Sequence, residues 1–115
     1  MHVQILKSKI RNAHVTACEL YYEGSLGLDT DILDAAGIYP YEKLLVVNLN
    51  NGERLETYAI PEEAGSRTVC LNGPAARRGA VGDNIIVMAF AAMDSEKAAG
   101  FRPVKLTLND KNQPQ

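Results

Sequence analysis

The chain has 115 residues, 46% hydrophobic and 23% charged, with 12 basic and 14 acidic side chains and a formal charge of -2. That length fits one domain, 1–115; the composition is too apolar for a disordered chain, and no apolar run approaches the roughly 20 residues a spanning helix needs. The dispersed charge leaves no footprint for nucleic acid or anionic lipid, and the start, MHVQILKSKI, lacks the apolar core and cleavage site of a secretory signal, so the cytoplasm is the default location.

In chain order, His2 to Leu6 and Ala13 to Leu20 read as β-rich runs. Asp29 to Ala36 reads as a helix: Asp29 or Thr30 caps it, Ile32, Leu33 and Ala36 form its apolar stripe, and Gly37 ends it. Strand-like runs follow at Lys43 to Asn48 and Arg54 to Ile60, joined by Asn50-Asn51-Gly52, whose residues tolerate the positive φ of a hairpin turn. Pro61 to Ala64, Pro74 to Arg78 and Ser95 to Ala99 each read as a turn of helix, two of them opening on a proline. Thr68 to Asn72, Asn84 to Met93 and Val104 to Leu108 complete the strands. Asn84 to Met93 is the most continuously apolar, and is expected to be buried on both faces or to enter a subunit contact. The polar end, Asn109 to Gln115, is expected to fray. Many short strands with little helix favour a compact barrel, since closing the sheet removes edges that invite aggregation.

The chemical inventory is narrow. Cys18 and Cys70 form no CxxC and read as free thiols; the chain has two histidines, His2 and His14, and no metal site is expected. His14, inside a strand-like run, reads as structural or solvent-facing. HExxH, Walker A and GxGxxG patterns are absent from the sequence. The unusual segment is Tyr21-Tyr22-Glu23-Gly24-Ser25, a turn-like junction between a β-rich run and a helix start. A Gly-Ser pair is common in any chain, and Gly65-Ser66 is a second one, so composition does not choose between them.

Lys9, Tyr22-Glu23-Gly24-Ser25, Asp34-Ala35-Ala36-Gly37, Asn51-Gly52, Thr57-Tyr58-Ala59-Ile60, Gly65-Ser66-Arg67, Asn72-Gly73 and Gly82-Asp83 do choose. In order and spacing they resemble the aspartate 1-decarboxylases, pyruvoyl-dependent enzymes of pantothenate and coenzyme A synthesis, from residue 1 to about 103. The resemblance implies a six-stranded double-psi β-barrel with short helices, in a homotetramer with active sites between subunits. It also implies autocatalytic cleavage at Gly24-Ser25 into 1–24 (the β chain) and 25–115 (the α chain), with or without a maturation factor. Gly65-Ser66 is left as a structural loop.

The implied cofactor is a pyruvoyl group made from Ser25, which forms a Schiff base with L-aspartate and accepts the electrons left as the α-carboxylate departs, giving β-alanine. Glycine before the cut leaves the attacking hydroxyl uncrowded, and strain at that turn would raise the ground state. Thr57 is the matched donor to the oxyanion of self-cleavage, and Tyr58 the proton donor to the decarboxylated carbon. Lys9 and Arg54 match cations for the two substrate carboxylates, Arg54 with bidentate geometry. Thr57, Asn72, Gly73 and Ala75 complete the expected substrate contacts, and Tyr22 borders the cleavage loop. The pattern departs from the family at Arg11-Asn12, where His-Arg is usual, and at Pro74 and Arg77, where alanine and histidine are usual. Two alternatives remain: a non-catalytic binding module on the same barrel, or a pyruvoyl decarboxylase of another amino acid such as glutamate.

Overall fold

The computed structural model describes residues 1–115. Its first strand, β1 (His2–His14), continues through the polar stretch where the apolar pattern predicts a break. Tertiary partners satisfy the interrupting side chains. Lys7 Nζ donates to Glu42 Oε1 and to Gly37 O, both at 2.8 Å, and the buried Ser8 hydroxyl donates to Ala36 O at 2.6 Å. Register shifts between Leu6 and Ser8 and between Ile10 and Ala13 bend the strand.

After β1 come β2 (Ala17–Glu19) and β3 (Ser25–Asp29), the latter wholly buried and not foreseen from sequence. Helix α1 (Thr30–Ala36) has the expected limits: the Asp29 side chain accepts from Asp31 N–H, and Gly37, at φ 69°, returns its N–H to Asp34 O and Leu33 O. β4 (Lys43–Asn48) and β5 (Arg54–Glu62) form the expected antiparallel hairpin, with Gly52 at φ 75° in its turn. β5 runs on through Pro61 and Glu62, where a helical turn was expected, because these residues pair with Leu28 and Asp29 of β3. β6 (Val69–Asn72) leads into a 3-10 helix, Gly73–Arg78. β7 (Asn84–Asp94), α2 (Ser95–Ala98) and β8 (Val104–Thr107) follow.

The fold is mainly β, as expected, and all eight strands join one sheet in the order β2-β6-β3-β5-β4-β7-β1-β8. Six strands form its interior, and the short β2 and β8 flank them. β2 and β1 stand six strand spacings apart in that order, roughly 29 Å in a flat sheet, yet only Val15 and Thr16 connect them, a reach of about 11 Å. The sheet therefore coils until its ends approach, a barrel-like form. Thr16 N–H donates to Val69 O at 2.8 Å, tying the connection to β6.

One contiguous core fills the coil, with Ile10, Leu26, Ile32, Val46, Leu71 and Val87 among its fully buried members. Two expectations change: burial of β7 on both faces, which leaves its alternative of a subunit contact, and the fraying of the last residues. Within one chain β7 is buried on one face only, by Ile85, Val87 and Ala89, while Ile86 and Met88 are half-buried and Phe90 is exposed. The strand alternates because neighbouring strands cover its edges while the core covers a single face. The last residues do not fray: Asn112 is 3% exposed, its carboxamide accepts from His14 N–H at 2.8 Å, and it donates to His14 O at 2.8 Å. Leu108 and Pro114 also form a β-bridge. A polar tail is anchored here by hydrogen bonds, which apolar patterning does not register.

Candidate active site

Ser25 opens β3, between β5 on one side and β6 on the other. Against β6 it pairs with Asn72, and against β5 the parallel register begins at Leu26 and Ala59. Carrying that register back one residue sets Ser25 beside Tyr58 and Gly24 beside Thr57. Positions far apart in sequence thus converge because β3 is a central strand.

A cleft of about 560 Å³ opens over this junction. Of the expected site residues, Gly24, Ser25, Arg54, Thr57, Tyr58, Asn72 and Ala75 line it. Glu23, Glu56, Pro74 and Arg78 line it too; of these, Glu23 lies in the matched Tyr22–Ser25 motif and Pro74 among the departures, and none was assigned a site role from sequence. Lys9 does not: it lies on β1 opposite Met88 of β7 and Lys105 of β8. Arg11 and Arg77 also lie outside the cleft. Gly73 is absent from the lining and has another role. Its φ is +64°, and a Cβ there would fall 2.6 Å from Tyr22 O and 2.7 Å from Gly24 N. The missing side chain is what lets the 3-10 helix press against the Tyr22–Gly24 backbone.

Gly24 and Ser25 both have φ 109°. Glycine adopts this freely; for serine it lies outside the regions L-residues favour, at a cost of about 1–3 kcal/mol. The Ser25 hydroxyl is nearly fully buried, at 1% exposure for the residue, and its Oγ accepts a hydrogen bond from Asn72 Nδ2 at 3.1 Å. Its own proton is therefore directed elsewhere. Ser66, in the second Gly-Ser pair, is exposed and its Oγ accepts from the Thr68 hydroxyl at 2.8 Å. The neighbouring Gly65 and Arg67 N–H groups serve Asp29 instead, at 3.0 and 2.7 Å.

The charged groups of the cleft differ in how free they are. Arg78 Nη1 is engaged by Glu53 Oε2 at 2.8 Å and by Arg54 O at 3.2 Å. The Arg54 guanidinium takes part in no ion pair of the chain, so it is available to a carboxylate. The Tyr58 side chain is part-exposed on the cleft wall. The cleft thus joins a buried, strained serine after a glycine, with a hydrogen-bond donor on the serine oxygen, to a phenol on its wall and an unpaired guanidinium.

The sequence profile of the family described as aspartate decarboxylase matches residues 1–115. The chain belongs to the aspartate decarboxylase family. It is 52% identical over 112 residues to a protein named aspartate 1-decarboxylase from Salinibacter ruber, covering 97% of this chain and 77% of that one. It is 50% identical over 115 residues to one of the same name from Chlorobium chlorochromatii, covering 100% and 89%. A third, from Hyphomonas neptunium, is 46% identical over 113 residues, covering 98% and 96%. The family membership accounts for how the seven cleft residues were chosen from sequence. Glu56 and Arg78 were missed, and Glu23 was matched without a site role, because only the spatial neighbourhood of β3 and β5 places them in the cleft. For Glu56 and Arg78 the one available signal was adjacency to the matched residues Thr57 and Arg54, the last beside Glu53, to which Arg78 is tied.

Proposed function

We propose that the chain cuts itself between Gly24 and Ser25 and then decarboxylates L-aspartate to β-alanine. The observation that carries the reading is the Ser25 residue itself: a buried serine at φ 109°, following a glycine at φ 109°, with a donor on its oxygen, in a member of the aspartate decarboxylase family.

In self-cleavage the Ser25 Oγ attacks the Gly24 carbonyl carbon, and the Gly24–Ser25 C–N bond breaks as the C–O bond of an ester forms. Loss of the Ser25 α-proton and scission of its Cβ–Oγ bond leave dehydroalanine, while Oγ departs as part of the Gly24 carboxylate. Water then displaces the nitrogen as ammonia and leaves the ketone of a pyruvoyl group at position 25. Strain at Ser25 favours the first step, since the acyl shift releases the peptide from that geometry. The Thr57 hydroxyl, on the cleft wall, makes no side-chain hydrogen bond within the chain and serves as donor to the oxyanion.

The residues at position 25 fit the group, because the serine that forms it faces an open cleft wide enough for a small amino acid. When present, the pyruvoyl group supplies a carbonyl electron sink for loss of the α-carboxylate. Arg54 binds a substrate carboxylate, Tyr58 delivers a proton to carbon from the cleft wall, and Asn72 donates to a polar atom at position 25. A dicarboxylate asks for a second cation. We assign it to Lys9 of an adjacent copy in a homotetramer, since Lys9 of the same chain lies outside the cleft.

Intact-mass analysis tests the cut: fragments 1–24 and 25–115, the latter beginning with pyruvoyl, are expected. Incubation with L-aspartate should release β-alanine and carbon dioxide, with L-glutamate turned over far more slowly. An uncut chain that releases neither product overturns the proposal, and Ser25→Ala should abolish both activities.

A further inference from the structure

The hydrogen bonds beneath the cleft do not stop at Asn72. Cys70 stands two residues earlier on β6, so the two side chains share a face of the strand. Its Sγ lies 3.1 Å from Asn72 Oδ1, and Asn72 Nδ2 lies 3.1 Å from Ser25 Oγ. All three residues are buried. One end of the carboxamide therefore meets a thiol and the other meets the hydroxyl that must attack Gly24.

A carboxamide in this slot has two orientations, and its neighbours decide between them. A neutral thiol donates to Oδ1 and turns the NH2 group toward Ser25. A thiolate, which only accepts, would select the reverse. Burial, with Glu19 and Glu62 nearby, pushes the Cys70 thiol up to about 11, so the donor form persists at neutral pH. In the reversed orientation Oδ1 would face Ser25 Oγ and hold its proton on an oxygen too weakly basic to remove it. With NH2 facing Oγ, the hydroxyl proton points away from Asn72 and the oxygen gains a donor as charge develops during attack.

We propose that Cys70 is a positioning residue for self-cleavage: its thiol holds the Asn72 carboxamide in the orientation that donates to Ser25 Oγ, and the rate of cutting depends on a donor at position 70. The inference rests on the cleavage reading above. No bond to sulfur forms or breaks; the thiol acts only through Asn72.

The test follows the conversion of freshly purified uncut chain to fragments 1–24 and 25–115 by intact mass, with melting temperature and assembly size measured on the same samples. Cys70→Ser keeps a donor and should cut within about threefold of the native rate, whereas Cys70→Val, similar in size but without a donor, should cut roughly tenfold more slowly at similar melting temperature. Should the valine variant fail to fold, Cys70→Ala supplies the same comparison. In an Asn72→Ala background, adding Cys70→Val should change nothing more, because the route from sulfur to Ser25 is already broken. Equal cutting by the native chain and Cys70→Val overturns the inference, as does slowing by Cys70→Ser as severe as by valine, or a further tenfold loss in the double variant. These results leave the cleavage reading standing. A native chain that never cuts removes both.

Discussion

Gly73 shows how a single absent side chain shapes the loop that leads into Ser25. A methyl group there would lie well inside contact distance of Tyr22 O and Gly24 N, and a φ of +64° costs an L-residue about 1–2 kcal/mol besides. Either the loop or the 3-10 helix must yield, and the loop is the less anchored of the two. Gly73→Ala is expected to lower the melting temperature by several degrees and to slow cutting roughly tenfold or more; native-rate cutting in a mass time course would show that the close approach is dispensable. Tyr58 separates the two reactions instead. Tyr58→Phe should cut normally yet form β-alanine about a hundredfold more slowly, as expected for a lost general acid; unchanged turnover would remove Tyr58 from proton delivery. Gly73 was selected from sequence as a substrate contact, and only the fold reveals it as a brace. The thiol of Cys70 was likewise read only as free, because its link to Ser25 depends on β3 and β6 being neighbours.

At the scale of elements, Asp29 joins three of them. It ends β3, caps α1 through Asp31 N–H at 2.8 Å, and receives the N–H groups of Gly65 and Arg67. Burial alone would raise its pKa, but the N–H donors of Arg67, Asp31 and Gly65, with the Arg67 guanidinium 4.0 Å away, hold it below the usual carboxylate range. A carboxylate whose folded pKa is depressed contributes stability that is complete above its unfolded value, about 3.9, and is lost as pH falls through the folded value. Asp29→Asn should therefore cost about 1–3 kcal/mol near pH 7, by leaving buried donors poorly matched, and should make stability less steep in pH below about 4. Denaturant melts at pH 7 and pH 3 check this: a variant that loses as much at pH 3 as at pH 7 would show that the carboxylate's charge is not what matters. The helix was legible from sequence because its cap and its terminal glycine are local signals. β3 was not, because Ser25-Leu26-Gly27-Leu28-Asp29 has no β-branched residue and alternates over only two leucines, on either side of a glycine; it is a strand because β5 and β6 flank it and the core buries it. The polar residues of β1 misled for the same reason, their partners lying on α1 and the segment leading to β4.

For the molecule as a whole, the cleft gathers its residues from the coiled sheet but leaves Lys9 elsewhere. Exposed apolar side chains, among them Leu20, Tyr21, Leu49 and Phe90, give one chain surface suited to burial between copies. No helix is long and apolar enough to cross a membrane. If the cation from Lys9 reaches a neighbour's cleft, the two carboxylate-binding groups of one working site belong to different chains, and defects in them should complement. Lys9→Ala and Arg54→Ala proteins are each expected to lose most aspartate turnover while still cutting. Co-expressed in equal amounts, they should form mixed tetramers in which roughly a quarter of sites pair an intact cleft with an intact Lys9, restoring about that fraction of native activity. Mass analysis verifies that both chains are cut, and light scattering reports the assembly size. Were both cations drawn from one chain, every site in the mixture would carry a defect and no activity would return. Complementation therefore distinguishes a site shared between copies from one that rearranges within a single chain, even when the two give the same assembly size.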